Sequence, residues 1–128
     1  MKNEEITHKI IGCAYKVFNQ LGFGFLEKVY ENALLFEIKK QGLKAEKQVP
    51  IKVLYKNHLV GEYIADIFVE KKVVVEIKTV ENLDKAHEAQ LLNYLKATGL
   101  QIGLLVNFKH PKAEIKRMVL NLPECHAA

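Results

Sequence analysis

Residues 63–80 read YIADIFVEKKVVVEIKTV, which is the pattern of two β-strands joined by a short charged turn. Val, Ile and Phe dominate both halves, as expected for strands that belong to a sheet core. Asp66, Glu76 and Lys78 interrupt these apolar runs. A buried carboxylate is costly unless it is paired or binds a cation. These three residues therefore lie either on a sheet edge that faces water or at a functional site.

The length of the turn decides how the two carboxylates are arranged. Side chains alternate between the faces of a strand. A three-residue loop over 70–72 would pair Val69 with Val73 and place Asp66 directly opposite Glu76 on one face. Carboxylates at that distance repel each other, and a divalent cation would relieve the repulsion with oxygen ligands that suit magnesium. A two-residue loop would put them on opposite faces, so this metal-site hypothesis depends on the register.

Two further motifs fall on predicted helices. Gly24, Glu27 and Tyr30 form the pattern G-x-x-E-x-x-Y near the start of one helix. Gln90 and Tyr94 form Q-x-x-x-Y, which places them one turn apart on a later helix. Each motif also has a simpler interpretation. A glutamate in a first helical turn favours the helix dipole, and a polar pair one turn apart can face solvent.

The strand pattern, Asp66 followed after nine residues by Glu76-Ile77-Lys78, resembles the D…ExK signature of the PD-(D/E)xK nuclease superfamily. The G-x-x-E-x-x-Y segment resembles the motif of the GxxExxY family, a group of small, mostly uncharacterised bacterial proteins assigned to that superfamily. Q-x-x-x-Y resembles the motif that follows ExK in RecB-type members. The motifs arrive in the superfamily's order, and Ala65 stands where its optional proline would be.

The resemblance implies a Mg²⁺- or Mn²⁺-dependent nuclease that hydrolyses phosphodiester bonds in nucleic acid, with DNA as the expected substrate. The metal would acidify a bound water and polarise the scissile phosphate. Lys78, which shares a strand face with Glu76, would orient that water or stabilise the developing charge. The implied catalytic residues are Lys78, Glu76, Asp66 and Glu27; the implied metal ligands are Asp66, Glu76, the Ile77 carbonyl and Glu27; the implied substrate-positioning residues are Gln90 and Tyr94.

The order of the predicted elements indicates an α+β domain. Two N-terminal helices precede a three-strand meander, and a crossover helix then leads to a buried strand, which indicates a right-handed parallel connection. We expect a mixed sheet of about four to five strands in one domain over residues 1–128, and the resemblance implies a restriction-endonuclease-like core. The predicted helices cover 4–21, with Asn3 as N-cap, 26–41, and a segment that runs from a cap at Asn82 or Asp84 to about Thr98. The predicted strands cover 44–56, 59–70, 72–80 and 101–108. Residues 115–120 fit either an edge strand or a short helix.

Composition narrows the class of protein. The 128 residues are 49% hydrophobic and 27% charged, as is typical of a globular domain. The formal charge of +4, with Arg117 as the single arginine, permits a polyanionic partner without requiring one. Two cysteines, Cys13 and Cys125, do not make a disulfide framework. The first residues lack the apolar segment of a secretory signal. No apolar run approaches the ~20 residues that a membrane span needs. We therefore expect a cytoplasmic protein that does not engage a membrane.

Other functions stay open on the sequence. A non-catalytic nucleic-acid-binding or assembly protein could retain this fold, and a subunit of a larger complex could need a partner to become active. Similarity in size and site plan to archaeal Holliday-junction resolvases leaves open a homodimer that acts on branched DNA, by analogy of fold. A zinc H-E-x-x-H helix is excluded, because Leu91 stands where His87-Glu88 would need the second histidine.

Overall fold

The computed structural model describes residues 2–109 and 113–120, so Cys125 lies outside the described residues. In this part of the chain, none of the helices is long and apolar enough to cross a membrane. The segment 115–120, for which the sequence fitted either an edge strand or a short helix, lies in a strand up to Val119. The helices are α1 (Asn3–Leu21), α2 (Glu27–Lys40) and α3 (Lys85–Thr98), and the strands are β1 (Ala45–Tyr55), β2 (His58–Val69), β3 (Val73–Lys78), β4 (Ile102–Asn107) and β5 (Glu114–Val119).

The five strands form one sheet in the order β1-β2-β3-β4-β5. Neighbouring strands are antiparallel except for β3 and β4, which are parallel and are connected through α3. A parallel pair needs such a crossover, because the chain must return to the same end of the sheet. The expectation of an α+β fold with a mixed sheet is confirmed.

Helices cover both faces of the sheet and bury all of β3 and β4 except Lys78, which is partly exposed. On β3, Val73, Val75 and Ile77 pack in the cluster beneath α1 and α2, whereas Val74 packs in the cluster beneath α3. This two-sided burial explains why β3 and β4 are nearly continuous apolar runs. It also means that a charged residue on the central strand β3 is held within a packed interior.

The ends of the helices follow local capping chemistry. The Asp84 carboxylate caps α3 by accepting hydrogen bonds from the backbone N–H groups of Ala86 and His87, at 3.0 and 3.1 Å. The predicted cap of α1 at Asn3 is wrong by one residue. The first helical bonds, from the N–H groups of Glu5 and Ile6, run to the carbonyl of Lys2, which is therefore the N-cap.

Close packing of α3 on the sheet brings its inner face to β3. Gly103 on β4 lies under Leu91, and a Cβ at residue 103 would come within 2.7 Å of Leu91 Cδ1. A glycine therefore allows α3 to sit close to the sheet. Gln90 and Tyr94, which flank Leu91 on this helix, are carried toward the end of β3 as a result.

Candidate active site

The turn between β2 and β3 has the length that the metal-site hypothesis requires. Val69 pairs with Val73, and the antiparallel ladder continues to the pair Ile67–Val75. The three residues between the strands form the loop, in which Glu70 and Lys71 adopt left-handed backbone conformations with φ of 53° and 54°. The predicted register is therefore confirmed.

Beyond the Ile67–Val75 pair, hydrogen bonds between carboxylate side chains and backbone N–H groups connect the two strands. The backbone N–H of Asp66 donates to Oε2 of Glu76 over 2.9 Å. In return, the N–H of Ile77 donates to Oδ2 of Asp66 over 2.8 Å. Each carboxylate thus reaches across to the backbone of the other strand, and the structure holds the two acidic side chains against one another.

Burial and mutual repulsion make this pair unusual. Glu76 is only 3% exposed, and its burial, followed by the charge of Asp66, raises its pKa to about 8. Burial also raises the pKa of Asp66, helped by the charges of Glu31 and Glu27 and opposed by the Ile77 hydrogen bond. Burial therefore favours the protonated form of Glu76 near neutral pH.

A lysine and a helix side chain complete this end of β3. Lys78 Nζ donates to Oε1 of Gln90 over 3.1 Å. Tyr94, one turn further along α3, is buried and lies against Tyr63 with ring centroids 5.2 Å apart. Burial, then the charges of Glu76 and Asp66, raise the pKa of Tyr94 to about 12, so it is a neutral phenol. The Q-x-x-x-Y motif on α3 and the ExK motif on β3 are thus in contact through the hydrogen bond between Gln90 and Lys78.

Glu27 occupies a different position from the other acidic candidates. It is exposed in the first turn of α2, and its charge adds only a small part to the rise in the pKa of Asp66 and Glu76, which burial dominates. Within residues 2–109 and 113–120, no group of three or more His, Cys, Asp or Glu side chains is placed to hold a metal ion. The structure does not gather Glu27, Asp66 and Glu76 into one cluster, and the role of Glu27 as a ligand stays a prediction.

Two residues that the sequence did not single out belong to this neighbourhood. Glu31 is 4% exposed, and its Oε1 accepts a hydrogen bond from Nε2 of Gln48 over 2.8 Å. Gln48 has a left-handed backbone with φ of 52°. The spacing of Glu27 and Glu31 places both on one helix face, but only packing of α2 on the sheet determines which carboxylate is buried.

Asn107 at the end of β4 fixes the chain just after Lys78. Its side-chain oxygen accepts from the N–H of Val80 at 3.0 Å, and its Nδ2 donates to the Val80 carbonyl at 2.8 Å and to Oε1 of Glu114 at 3.2 Å. This pairing extends the β3–β4 ladder beyond the last strand residue. It holds the connection that leads from Lys78 into α3.

We expect Asn107→Ala to lower the free energy of unfolding by about 2 to 4 kcal/mol, because Val80 loses both of its partners and the buried side chain leaves a cavity. Urea unfolding monitored by circular dichroism measures this. Asn93→Ala, at an exposed position of α3, is the control and should change stability little. Equal stabilities for the two variants would contradict the role given to Asn107.

The fold and the site define a class of protein. A mixed five-stranded sheet with helices on both faces, and a carboxylate pair and a lysine on adjoining central strands, is a restriction-endonuclease-like architecture. The family model described as the PD-(D/E)XK nuclease superfamily matches residues 4–118. This chain belongs to that superfamily, and the narrower GxxExxY assignment stays a prediction.

One solved structure, described as "Crystal structure of SSO0001", is similar to this chain with a TM-score of 0.60 and 22% sequence identity. The similarity covers 77% of this chain and 52% of that chain, so this chain spans about half of that structure's length. At this identity the likeness shows the fold alone. A search of curated proteins gives no match.

Nucleases of this superfamily typically use divalent metals and act on nucleic acid. The donor set here fits a divalent cation in charge and chemistry. Asp66 and Glu76 are two hard oxygen ligands held together despite repulsion, and Oε2 of the buried Glu31 has no hydrogen-bond partner among the described residues. Added positive charge would offset the burial and the repulsion by Asp66 that raise the pKa of Glu76.

The buried Glu76 predicts how the metal-free protein responds to pH. Its pKa rises from an ordinary 4.5 to about 8 on folding, so over this interval the folded state binds more protons than the unfolded state. Stability should therefore fall as the pH rises from about 4.5 to 8. Glu76→Gln should flatten this part of the profile, as measured by thermal unfolding with a chelator present.

Glu62→Gln, on the exposed part of β2, is the control for this profile and should keep the slope of the wild type. A Glu76→Gln protein whose stability still falls as steeply between these pH values would show that another group is responsible.

Proposed function

We propose that this protein is a metal-dependent nuclease that hydrolyses phosphodiester bonds in nucleic acid, with DNA as the expected substrate and Mg²⁺ or Mn²⁺ as the cofactor. The observation that carries the proposal is the reciprocal bonding of Asp66 and Glu76, two carboxylates held together beside Lys78 on the central strand. Membership of the nuclease superfamily supports it.

In this proposal Asp66, Glu76 and the carbonyl of Ile77 hold the cation, and Glu27 adds negative charge from the first turn of α2. A bound divalent cation supplies Lewis-acid polarisation of the phosphate and an acidified water. The packed strands β2 and β3 fix the two carboxylates, so little reorganisation accompanies binding.

The remaining side chains act on the substrate. Lys78 donates hydrogen bonds to a phosphate oxygen or to the attacking water, and so stabilises charge that develops in the transition state. Gln90, which bonds Lys78 in the free protein, holds the ammonium in place until the phosphate arrives. Tyr94, one turn from Gln90 on α3, contributes the apolar wall of the site, where its ring lies against Tyr63.

A cleavage panel tests the proposal. Wild type and the double variant Asp66→Asn/Glu76→Gln are incubated with single-stranded, duplex and branched DNA and with RNA, in Mg²⁺, in Mn²⁺ and with a chelator. We expect cleavage that needs the metal and is lost in the double variant. Cleavage that survives in the double variant would come from a contaminant. Absence of cleavage on every substrate would favour a second candidate function, a nucleic-acid-binding or assembly protein that does not cut.

The second candidate is a nucleic-acid-binding or assembly protein that keeps the fold without cutting. The observation in its favour is that hydrogen bonds within the protein already occupy one oxygen of each carboxylate of the pair. Such a closed pair would serve as a structural lock between β2 and β3. It would bind nucleic acid equally well with and without the metal, which a filter-binding assay with a chelator measures.

We also propose that the chain belongs to the GxxExxY group and works as one nuclease-like domain. The motif residue Tyr30 is fully buried, and its hydroxyl donates to the Gly22 carbonyl over 2.6 Å. The same oxygen accepts from the N–H of Phe25 over 3.3 Å. The motif tyrosine thus fastens the α1–α2 connection and sets where α2, with Glu27, begins.

A further inference from the structure

Glu31 is a buried acidic side chain that the proposed mechanism does not yet use. It is 4% exposed, and its Oε1 is bonded to Gln48. Its Oε2 is buried and makes no hydrogen bond to any residue that the structure describes. The nearest cation is Nζ of the exposed Lys28 at 3.6 Å. A buried carboxylate oxygen without a hydrogen bond is costly, so its retention calls for a partner.

The position of Glu31 points to that partner. The pairs Lys47–Ile67 and Val49–Ala65 flank Gln48 on β1 and Asp66 on β2, so Gln48 lies beside Asp66 in the sheet. The hydrogen bond from Gln48 therefore holds the Glu31 carboxylate at the part of β1 that lies beside Asp66.

We propose that Glu31 is a further acidic residue of the divalent-cation site, and that Gln48 is the positioning residue that holds it there. This inference rests on the proposed function and adds a residue that the G-x-x-E-x-x-Y motif does not contain. A cation near Asp66 would give Oε2 of Glu31 a second opposite charge, either directly or through a water, beside the exposed Lys28 Nζ that lies 3.6 Å from the same oxygen. Gln48 keeps the carboxylate turned toward β2 through the bond to Oε1.

The backbone of β1 is built around this contact. Gln48 lies in the left-handed region, which a residue other than glycine, asparagine or aspartate rarely adopts. Such a conformation persists where surrounding contacts support it. Here the hydrogen bond from Nε2 of Gln48 to Oε1 of Glu31 is one of the contacts made by the residue with this backbone conformation.

Glu37 on the same helix provides a matched comparison. It also has a buried carboxylate oxygen that makes no hydrogen bond within the described residues. It lies, however, near α1, where burial, followed by the charge of Glu37, raises the pKa of the Cys13 thiol, and Nζ of Lys16 lies 3.8 Å from its Oε1. Glu37 thus also has a buried carboxylate oxygen without a hydrogen bond among the described residues, but it lies away from Asp66.

The test is a titration of the metal-free protein with Mn²⁺, followed by calorimetry and by the rise in melting temperature. The loss of one acidic residue that serves a metal site weakens metal affinity by about tenfold or more, and we expect this of Glu31→Gln. Glu37→Gln should bind Mn²⁺ as the wild type does. Without metal, Glu31→Gln should melt no lower than wild type, because it keeps an acceptor for Gln48 and removes a buried charge.

A second variant keeps the test decisive if Glu31→Gln fails to fold. Gln48→Gly accommodates the left-handed backbone without strain and removes the hydrogen bond to Oε1, so it should weaken Mn²⁺ binding by a smaller factor. Unchanged Mn²⁺ affinity in a folded Gln48→Gly protein would overturn the positioning role.

The inference and the proposed function fail in different ways. Wild-type affinity in Glu31→Gln, together with weakened affinity in Asp66→Asn, would overturn the role of Glu31 and leave the proposed metal site standing. A tenfold loss in Glu27→Gln but not in Glu31→Gln would assign the helix carboxylate to Glu27. Absence of Mn²⁺ binding by the wild type would overturn both.

Discussion

Lys78→Met is expected to lower DNA cleavage by roughly 100-fold or more while the fold and the metal response are kept, because one donor to the transition state is lost. Methionine retains the length and packing of the lysine stem and removes only the ammonium. The lost contact in the free protein is one hydrogen bond to Gln90. Initial rates under excess substrate, with the Mn²⁺-dependent change in melting temperature measured in parallel, provide the readout.

Lys71→Met, in the exposed loop of the same hairpin, controls for the general loss of one positive charge and should cut at nearly the wild-type rate. A structural role for Lys78 predicts a different result. If the ammonium only offsets the charges of Asp66 and Glu76, Lys78→Met should lower the melting temperature and leave cleavage of a folded sample unaffected. Full cleavage by a well-folded Lys78→Met protein would falsify the catalytic role.

Asp66→Asn is expected to lower metal affinity by about 100-fold or more and to abolish most cleavage, because a ligand should cost at least as much as an outer partner of a metal site. The same change should stabilise the metal-free protein. Asparagine can still accept the N–H of Ile77, and it removes the charge that repels Glu76. Stability and activity should therefore move in opposite directions, as expected at a strained functional site.

Melting curves with and without Mn²⁺, combined with cleavage rates, separate these effects. Asp84→Asn is the control, because asparagine caps a helix as well as aspartate does and Asp84 caps α3. It should leave both the metal response and the cleavage rate unchanged. An Asp66→Asn protein that is stabilised by Mn²⁺ as strongly as the wild type would remove Asp66 from the ligand set.

Local patterns in the sequence determined the elements of this fold and the frame of its site. Alternation in β2 and β3 reduced the register to two alternatives, and the structure has the three-residue loop that sets Asp66 and Glu76 side by side. This worked because strand periodicity and turn length are local properties that long-range packing rarely overrides. Helix ends were less secure, as Asn3 shows, since capping depends on which carbonyl takes the first helical bond.

Only the tertiary structure decided which helix carboxylate is buried and how the strands separate at the site. Glu27 and Glu31 lie on one face of α2, yet the packing of α2 on the sheet leaves the first exposed and buries the second against Gln48. The crossed bonds between the side chains of Asp66 and Glu76 and the opposite backbones also arise only when β2 and β3 are assembled. Burial and charge repulsion are sums over residues that are distant in sequence, so no local pattern contains them.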